Sequence, residues 1–280
     1  MGMTNLFAGL LGRLRPRAGG EVRVQNWILL VASDKYASMV CLLIASLLVR
    51  GDLRRVKGVV VGDIGLSEES RARIRRLYPE TVFLAAETPI ANVERHQDAA
   101  WVDAVSRKTL MVRQALEAGY VPLVLLDADQ FICRDFLDDL DEDMLISVAC
   151  RDGAERRPVH RIEGARNRYI ASFVRFATRE ATGFLDEWIA EMQRRIRASE
   201  GPPFETPALN EVFYRDPAKW AAEEVPVVAY TCPPQKYKRN VTRIVHYKGP
   251  KTIEDEETFR AWVAKLPGMG RDILRKYDSV

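Results

Sequence analysis

The sequence predicts an α/β domain with a mostly parallel central sheet, and three observations carry that prediction. Through the first half of the chain, short apolar runs alternate with amphipathic helical segments, the pattern of strand–helix–strand crossovers. The composition is ordinary globular material, 47% hydrophobic and 29% charged over 280 residues, so a sizeable core can be buried. The most strongly apolar strand stops abruptly at a pair of aspartates, and the right-handed crossover rule places such strand ends on one ligand-binding edge.

Residues 1–26 stand apart from the domain, which spans 27–280. Leu6, Phe7, Leu10, Leu11 and Leu14 share one helical face, and Arg13, Arg15 and Arg17 add positive charge without any acid. The segment reads either as a short amphipathic anchor on an anionic membrane surface, or as a frayed terminus or a helix packed on the body of the domain. Its charges follow the apolar stretch, which argues against a signal peptide.

Trp27–Ala32 is a buried strand, with Ser33-Asp34 as the turn or helix cap after it. Tyr36, Met39, Val40, Leu43, Ile44, Leu47 and Leu48 recur at helical spacing and stop at Gly51. Val56–Val61 is the second strand, ending in Gly62-Asp63. Ser67 opens a helix whose Arg71–Arg76 face is solvated, and Thr81–Ala85 is the third strand. Val102–Ala118 is helical with Gly119 past its end, and Val121–Leu126 runs into Asp127. Beyond Asp143 the rhythm changes. Leu145–Ala149, Tyr169–Phe176, Val225–Tyr230 and Val241–Tyr247 read as strands around one clear helix, Thr178–Arg197. In that helix Phe184, Trp188 and Met192 are four apart, a core stripe.

Composition also bounds function. The net charge of +3, from 42 Lys and Arg against 39 Asp and Glu, is too even to indicate nucleic-acid binding. Cys41, Cys133, Cys150 and Cys232 are scattered with no CxxC pair, which disfavours a zinc site and points to a reducing, cytoplasmic setting, including the inner face of a membrane. Met39–Val49, the most apolar run, is about half of the roughly 20 residues that span a bilayer.

Two segments carry chemistry. In VLLDADQF an apolar strand empties into Asp127-Ala128-Asp129. Strand side chains at a spacing of two converge on one ligand when the second lies just past the strand. Two hard oxygens there suit Mg²⁺ or Mn²⁺ holding a diphosphate. The same strand-plus-DxD pattern also opens one class of phosphatases, but on their first core strand. In RIVHYKGPKT, His246, Lys248, Gly249 and Lys251 follow a strand. The imidazole can be a third metal ligand and tilts the choice toward Mn²⁺. The lysines can neutralise a diphosphate, and the glycine lets backbone approach phosphate oxygens. The acidic run from Asp138 to Asp143 reads as a solvated loop. The arginine-rich stretch from Arg151 to Arg168 fits either an anionic acceptor or solvent.

These segments resemble the metal-dependent GT-A glycosyltransferases, which have a Rossmann-like single domain. The nearest likeness is to the glycogenin and lipopolysaccharide galactosyltransferase type. ILLVASDKYASMVCLLIASLL is similar to the family's first strand and helix, and VVVGDIGLSEESRARIRRLY to its second unit. SRKTLMVRQALEAGYVPLVLLDADQFICRDF resembles the helix leading into the DxD strand. ETPALNEVFY and VHYKGPKT resemble the acceptor-side element and the final loop. The likeness covers about residues 27–252 in order. It implies Asp127, Asp129 and His246 as metal ligands, and Ala32, Asp34 and Tyr36 at the nucleotide base. It further implies Arg107 or Lys108 at the donor phosphate or sugar, with Asp127, Lys248, Gly249 and Lys251 at the diphosphate. Glu205 and Asn210 would act at the reacting centre, although the family's Asp-Gln is replaced by Glu205-Thr206.

The function that follows is transfer of a sugar, with retention, from a nucleoside diphosphate sugar, UDP-linked, to a glycan or glycolipid hydroxyl. Were the reaction inverting, Glu205 or Glu211 would be the candidate base. The competing readings are a phosphatase or nucleotidyltransferase using the same carboxylates, and a nucleotide-sugar-binding protein without turnover.

Overall fold

The structure is a computed structural model and describes residues 23–87, 99–151, 168–198, 205–247, 253–266 and 268–280. Residues 1–20, His96, His160, most of the arginine-rich stretch, and Lys248, Gly249 and Lys251 therefore lie outside the described residues. The strands are β1 (Asn26–Ala32), β2 (Val56–Asp63), β3 (Val82–Ala85), β4 (Leu123–Leu126), β5 (Gln130–Ile132), β6 (Ile146–Cys150), β7 (Tyr169–Phe176), β8 (Ala222–Pro226) and β9 (Ile244–His246). The helices are α1 (Ala37–Arg50), α2 (Glu68–Leu77), α3 (Ala99–Glu117), α4 (Thr182–Ala198), α5 (Glu205–Arg215), the short α6 (Val227–Tyr230), α7 (Ile253–Ala264) and α8 (Gly270–Tyr277).

Seven strands form the central sheet in the order β3-β2-β1-β4-β7-β6-β8. The pairs β1–β2, β2–β3, β1–β4 and β6–β8 are parallel, and β7 alone runs against its neighbours β4 and β6. A mostly parallel sheet is what the alternating pattern predicts. The sheet is buried on both faces. Ile28, Leu30 and Ala32 of β1 join a core with α1, α7 and α8, while Leu29 of the same strand joins a second core with α3, α4 and α5. This alternation is the period-two geometry of a strand between two helical layers. Phe184 and Trp188 are fully buried in the second core, as their spacing predicts.

Local signals set most boundaries. Ser67 caps α2, its hydroxyl accepting from the Ser70 amide at 3.2 Å. Gly119 after α3 has φ +89°, a conformation that side chains with a Cβ resist. Gly51 ends α1 for another reason. Its φ is −77°, but a Cβ there would lie 2.8 Å from both the Leu47 carbonyl oxygen and a Leu47 methyl.

The second half departs from the expected boundaries. Val225–Tyr230 is not one strand: β8 covers 222–226, and Val227–Tyr230 is a helical turn. The apolar Val227, Ala229 and Tyr230 are buried there by tertiary packing, so local apolar content could not separate strand from turn. Val241–Tyr247 shortens to Ile244–His246, because the ladder with β5 covers only those three residues. Asp138 and Asp139 are held by Arg55 and Arg243, respectively, consistent with a surface loop. All four cysteines are buried thiols. Among the described residues no helix is long and apolar enough to cross a membrane.

Candidate metal centre

β4 ends at Leu126, and the chain turns through Asp127, Ala128 and Asp129 before β5 begins at Gln130. The turn is closed by the Gln130 amide donating to the Asp127 carbonyl at 3.1 Å. The Gln130 side-chain carbonyl accepts from the Asp127 amide, also at 3.1 Å. β5 then pairs antiparallel with β9 in a separate two-stranded ribbon, and the register sets Gln130 opposite His246. The ribbon continues one bond further, the Tyr247 amide donating to the Asp129 carbonyl at 3.0 Å. Two residues from the DxD turn and one from 117 positions later are thereby brought together.

The His246 Nε2 lies 3.2 Å from Asp129 Oδ1 and 3.6 Å from Asp127 Oδ2. One ligand atom from each of Asp127, Asp129 and His246 falls within 4.8 Å of the others. Two carboxylates and one imidazole nitrogen at this spacing form a donor set that fits Mn²⁺ or Mg²⁺.

Beneath the aspartates lies a buried charge network. Lys108, on α3, is 8% exposed. Its ammonium donates to the Asp127 carboxylate and to the Ala171 carbonyl, and sits 3.5 Å from Glu205 Oε1. Burial pushes the Lys108 ammonium down, yet Asp127 and Glu205 hold it above the ordinary lysine range. Burial raises the Glu205 carboxyl, against the pull of Lys108. Glu205 opens α5, and its carbonyl is fixed by the Trp188 indole N–H at 2.8 Å.

The other sequence candidates are distributed around this centre. Ala32 closes β1 and is buried, and Asp34 follows it. Burial pushes the Asp34 carboxyl up, but hydrogen bonds from Ser67 and Ser70 hold it below the usual carboxylate value, so it ties the β1 loop to the start of α2. Tyr36 is half-buried. Burial, with the nearby charges of Asp129 and Asp127, pushes its phenol up to about 12. Arg107 is half-buried on α3. Asn210, 2% exposed, spends its whole side chain on backbone. It accepts from the Arg168 and Tyr169 amides at 2.8 and 2.9 Å and donates to the Tyr169 and Thr206 carbonyls at 2.9 and 2.7 Å. Glu211 faces Arg195 of α4 at 3.6 Å.

Three participants escaped sequence reasoning. Thr231 and Ser172 stand behind His246, with Thr231 Oγ1 3.0 Å from His246 Nδ1 and 2.8 Å from Ser172 Oγ. Gln130 braces the DxD turn. A hydroxyl partner 15 or 59 residues away leaves no local pattern, whereas Gln130 adjoins the DxD and was open to suspicion.

No protein-family profile matches the sequence, and no curated protein is similar to it. Solved structures are. The bifunctional glycosyltransferase WbbM in its apo form matches with TM-score 0.55 and 15% identity over 93% of this chain. This chain spans about half of WbbM, 53% of its length. The galactosyltransferase LgtC, solved with donor and acceptor sugar analogues, matches with TM-score 0.55 and 14% identity, covering 91% of this chain and 96% of LgtC. The glycosyltransferase GlyE of Streptococcus pneumoniae TIGR4 matches with TM-score 0.55 and 12% identity, covering 92% of this chain and 64% of GlyE. The chain has the GT-A fold that these glycosyltransferases share.

Proposed function

We propose that the protein is a metal-dependent glycosyltransferase that moves a sugar from a nucleoside diphosphate sugar to a hydroxyl acceptor. The observation that carries this reading is the Asp127–Asp129–His246 cluster at the carboxyl edge of a GT-A sheet. The phosphatase alternative expects the DxD on the first core strand, whereas here three sheet strands precede it in the chain.

Asp127, Asp129 and His246 would hold Mn²⁺ or Mg²⁺. When bound, that ion supplies neutralisation of the diphosphate and of the charge that develops on it as the leaving group. The remaining roles fall to the chain. Ala32, Asp34 and Tyr36, at the end of β1, are assigned to the base of a UDP-linked donor. Lys248, Gly249 and Lys251 are assigned to the diphosphate on the grounds of sequence, and Arg107 to the donor phosphate or sugar. Lys108 holds Asp127 and Glu205 in place, a different task from touching the donor phosphate directly. Glu205 is the carboxylate of the site outside the ligand set, and we assign it to the reacting sugar. With its charge balanced by Lys108 it can face positive charge at the anomeric carbon during transfer with retention. Asn210, five residues on from Glu205, then serves by fixing the first turn of α5 through the Thr206 carbonyl. The acceptor would be a glycan, glycolipid or lipopolysaccharide hydroxyl, with residues 1–20 making peripheral contact with an anionic membrane.

The test is thermal stabilisation by a panel of UDP and GDP sugars, with Mn²⁺ and with EDTA. A ligand that binds the native state raises the midpoint by mass action. The expected result is a metal-dependent shift with one class of nucleotide sugar, absent in Asp129→Asn at an unchanged resting Tm. No shift with any nucleoside diphosphate compound would overturn the reading.

A further inference from the structure

The two ring nitrogens of His246 have different surroundings. Nε2 faces the Asp129 and Asp127 carboxylates at 3.2 and 3.6 Å. Nδ1 faces Thr231 Oγ1 at 3.0 Å, and that hydroxyl lies 2.8 Å from Ser172 Oγ. His246 is 8% exposed, and Thr231 and Ser172 are each 2% exposed, so bulk water does not substitute for these partners.

An Nε2 that ligates a cation carries no proton, so the proton of neutral imidazole must sit on Nδ1 and needs an acceptor there. A threonine hydroxyl has one hydrogen to give. If Thr231 directed it at Nδ1, the ring would hold its proton on Nε2, the arrangement that excludes a cation. Ser172 offers that hydrogen another destination. With the Thr231 hydrogen on Ser172 Oγ, a Thr231 lone pair accepts Nδ1–H and leaves the Nε2 lone pair facing the aspartates. Backbone geometry holds the relay in register. The Thr231 amide donates to the Val227 carbonyl at 3.0 Å, the Cys232 amide to Ile244 at 3.1 Å, and the His246 amide to Cys232 at 2.8 Å. Ser172 comes from β7, beside Ala171, whose carbonyl receives the Lys108 ammonium.

We propose that Thr231, backed by Ser172, is a positioning residue that holds His246 as its Nδ1–H tautomer and so pre-forms the third ligand of the metal centre. The inference rests on the metal-binding reading above. Outer partners of ligating histidines fix ring and tautomer and typically govern 10–100-fold in metal affinity.

The experiment measures the affinity for Mn²⁺ alone, without nucleotide, by electron paramagnetic resonance of the free ion. It compares the parent protein with Thr231→Val, Thr231→Ser, Ser172→Ala and Asp129→Asn, and records the Tm of each. The expectation is about 10–100-fold weaker binding in Thr231→Val, recovery to within about threefold in Thr231→Ser, and an intermediate loss in Ser172→Ala. Should Thr231→Val fail to fold, weaker Mn²⁺ binding in folded Ser172→Ala supports the relay and parental binding refutes it. Thr231→Val binding Mn²⁺ like the parent, while Asp129→Asn has lost it, overturns the positioning role and leaves the metal centre standing. A parent protein that binds no Mn²⁺ overturns the metal centre itself, and the relay with it.

Discussion

Lys108 is the single cation held against both Asp127 and Glu205 within the described network, and replacing it with methionine should expose how that network is balanced. Methionine keeps the length and apolar stem of the side chain and removes only the charge. The half-buried Asp127 and Glu205 carboxylates then lose the cation they share. Removing one partner of a buried ion pair costs about 3–5 kcal/mol. Glu205 has a way to relieve that cost, because burial already holds its carboxyl above the ordinary value of 4.5, and losing Lys108 raises it further. Between the parental and the variant Glu205 pKa, the variant's native state binds one proton that the parent's does not. Over that interval the destabilisation must shrink on acidification, by about 1.4 kcal/mol per pH unit. Lys108→Met should therefore lose about 3–5 kcal/mol at alkaline pH, and the loss should shrink as pH is lowered from about 8 toward about 5. Urea unfolding of parent and variant in EDTA at intervals across that range measures both terms. A loss below about 1 kcal/mol at the alkaline end, or one independent of pH, would refute the balance drawn here.

Asn210→Ala should cost about 2–4 kcal/mol, because four backbone hydrogen bonds to the side chain vanish and the amides of Arg168 and Tyr169 lose their acceptor. Chemical denaturation reads the loss, and an unchanged stability would argue that these bonds carry nothing. Burial, aided by a hydrogen bond with Asp138, pushes the Asp135 carboxyl up to about 6 from 3.8. The native state therefore favours the protonated form. The associated stability is present below the unfolded value and is lost as pH rises through about 6. Asp135→Asn should raise Tm near pH 8 and change it little near pH 4, and a larger gain on the acid side would reverse the assignment.

Where the chain's order matches its neighbours in space, the fold is legible in sequence. Apolar runs and helical stripes locate β1, α1, β2, α2 and β4, and Asp127 and Asp129 are visible because a strand ends at them. His246 is identifiable as a candidate but its place is not. The ribbon that sets it opposite Gln130 joins residues 130–132 to 244–246 through a ladder with no local signature. Lys108 and Glu205 can each be nominated separately. Their mutual attachment to Asp127 follows from the way α3 and α5 pack beneath the sheet edge, which no spacing encodes. The strand expected through Val225–Tyr230 fails for the same reason, since tertiary packing chose between turn and strand for equally apolar residues.

The reversed direction of β7 also bears on how the chain between β6 and β7 is joined to the sheet. Because β6 and β7 are antiparallel neighbours, the chain leaves the sheet at Cys150 and re-enters at Tyr169 on the edge where β4 meets the aspartates. The Arg151 amide closes the junction by donating to the Arg168 carbonyl at 2.8 Å. Whatever lies between those two residues is inserted into a joint already sealed on both sides. Doubling the length of such an insert costs only about 0.6 kcal/mol in closure entropy. A change in the number of residues between Arg151 and Arg168 is thus inexpensive in closure entropy, because the two ends are already held together at the sheet edge beside Asp127.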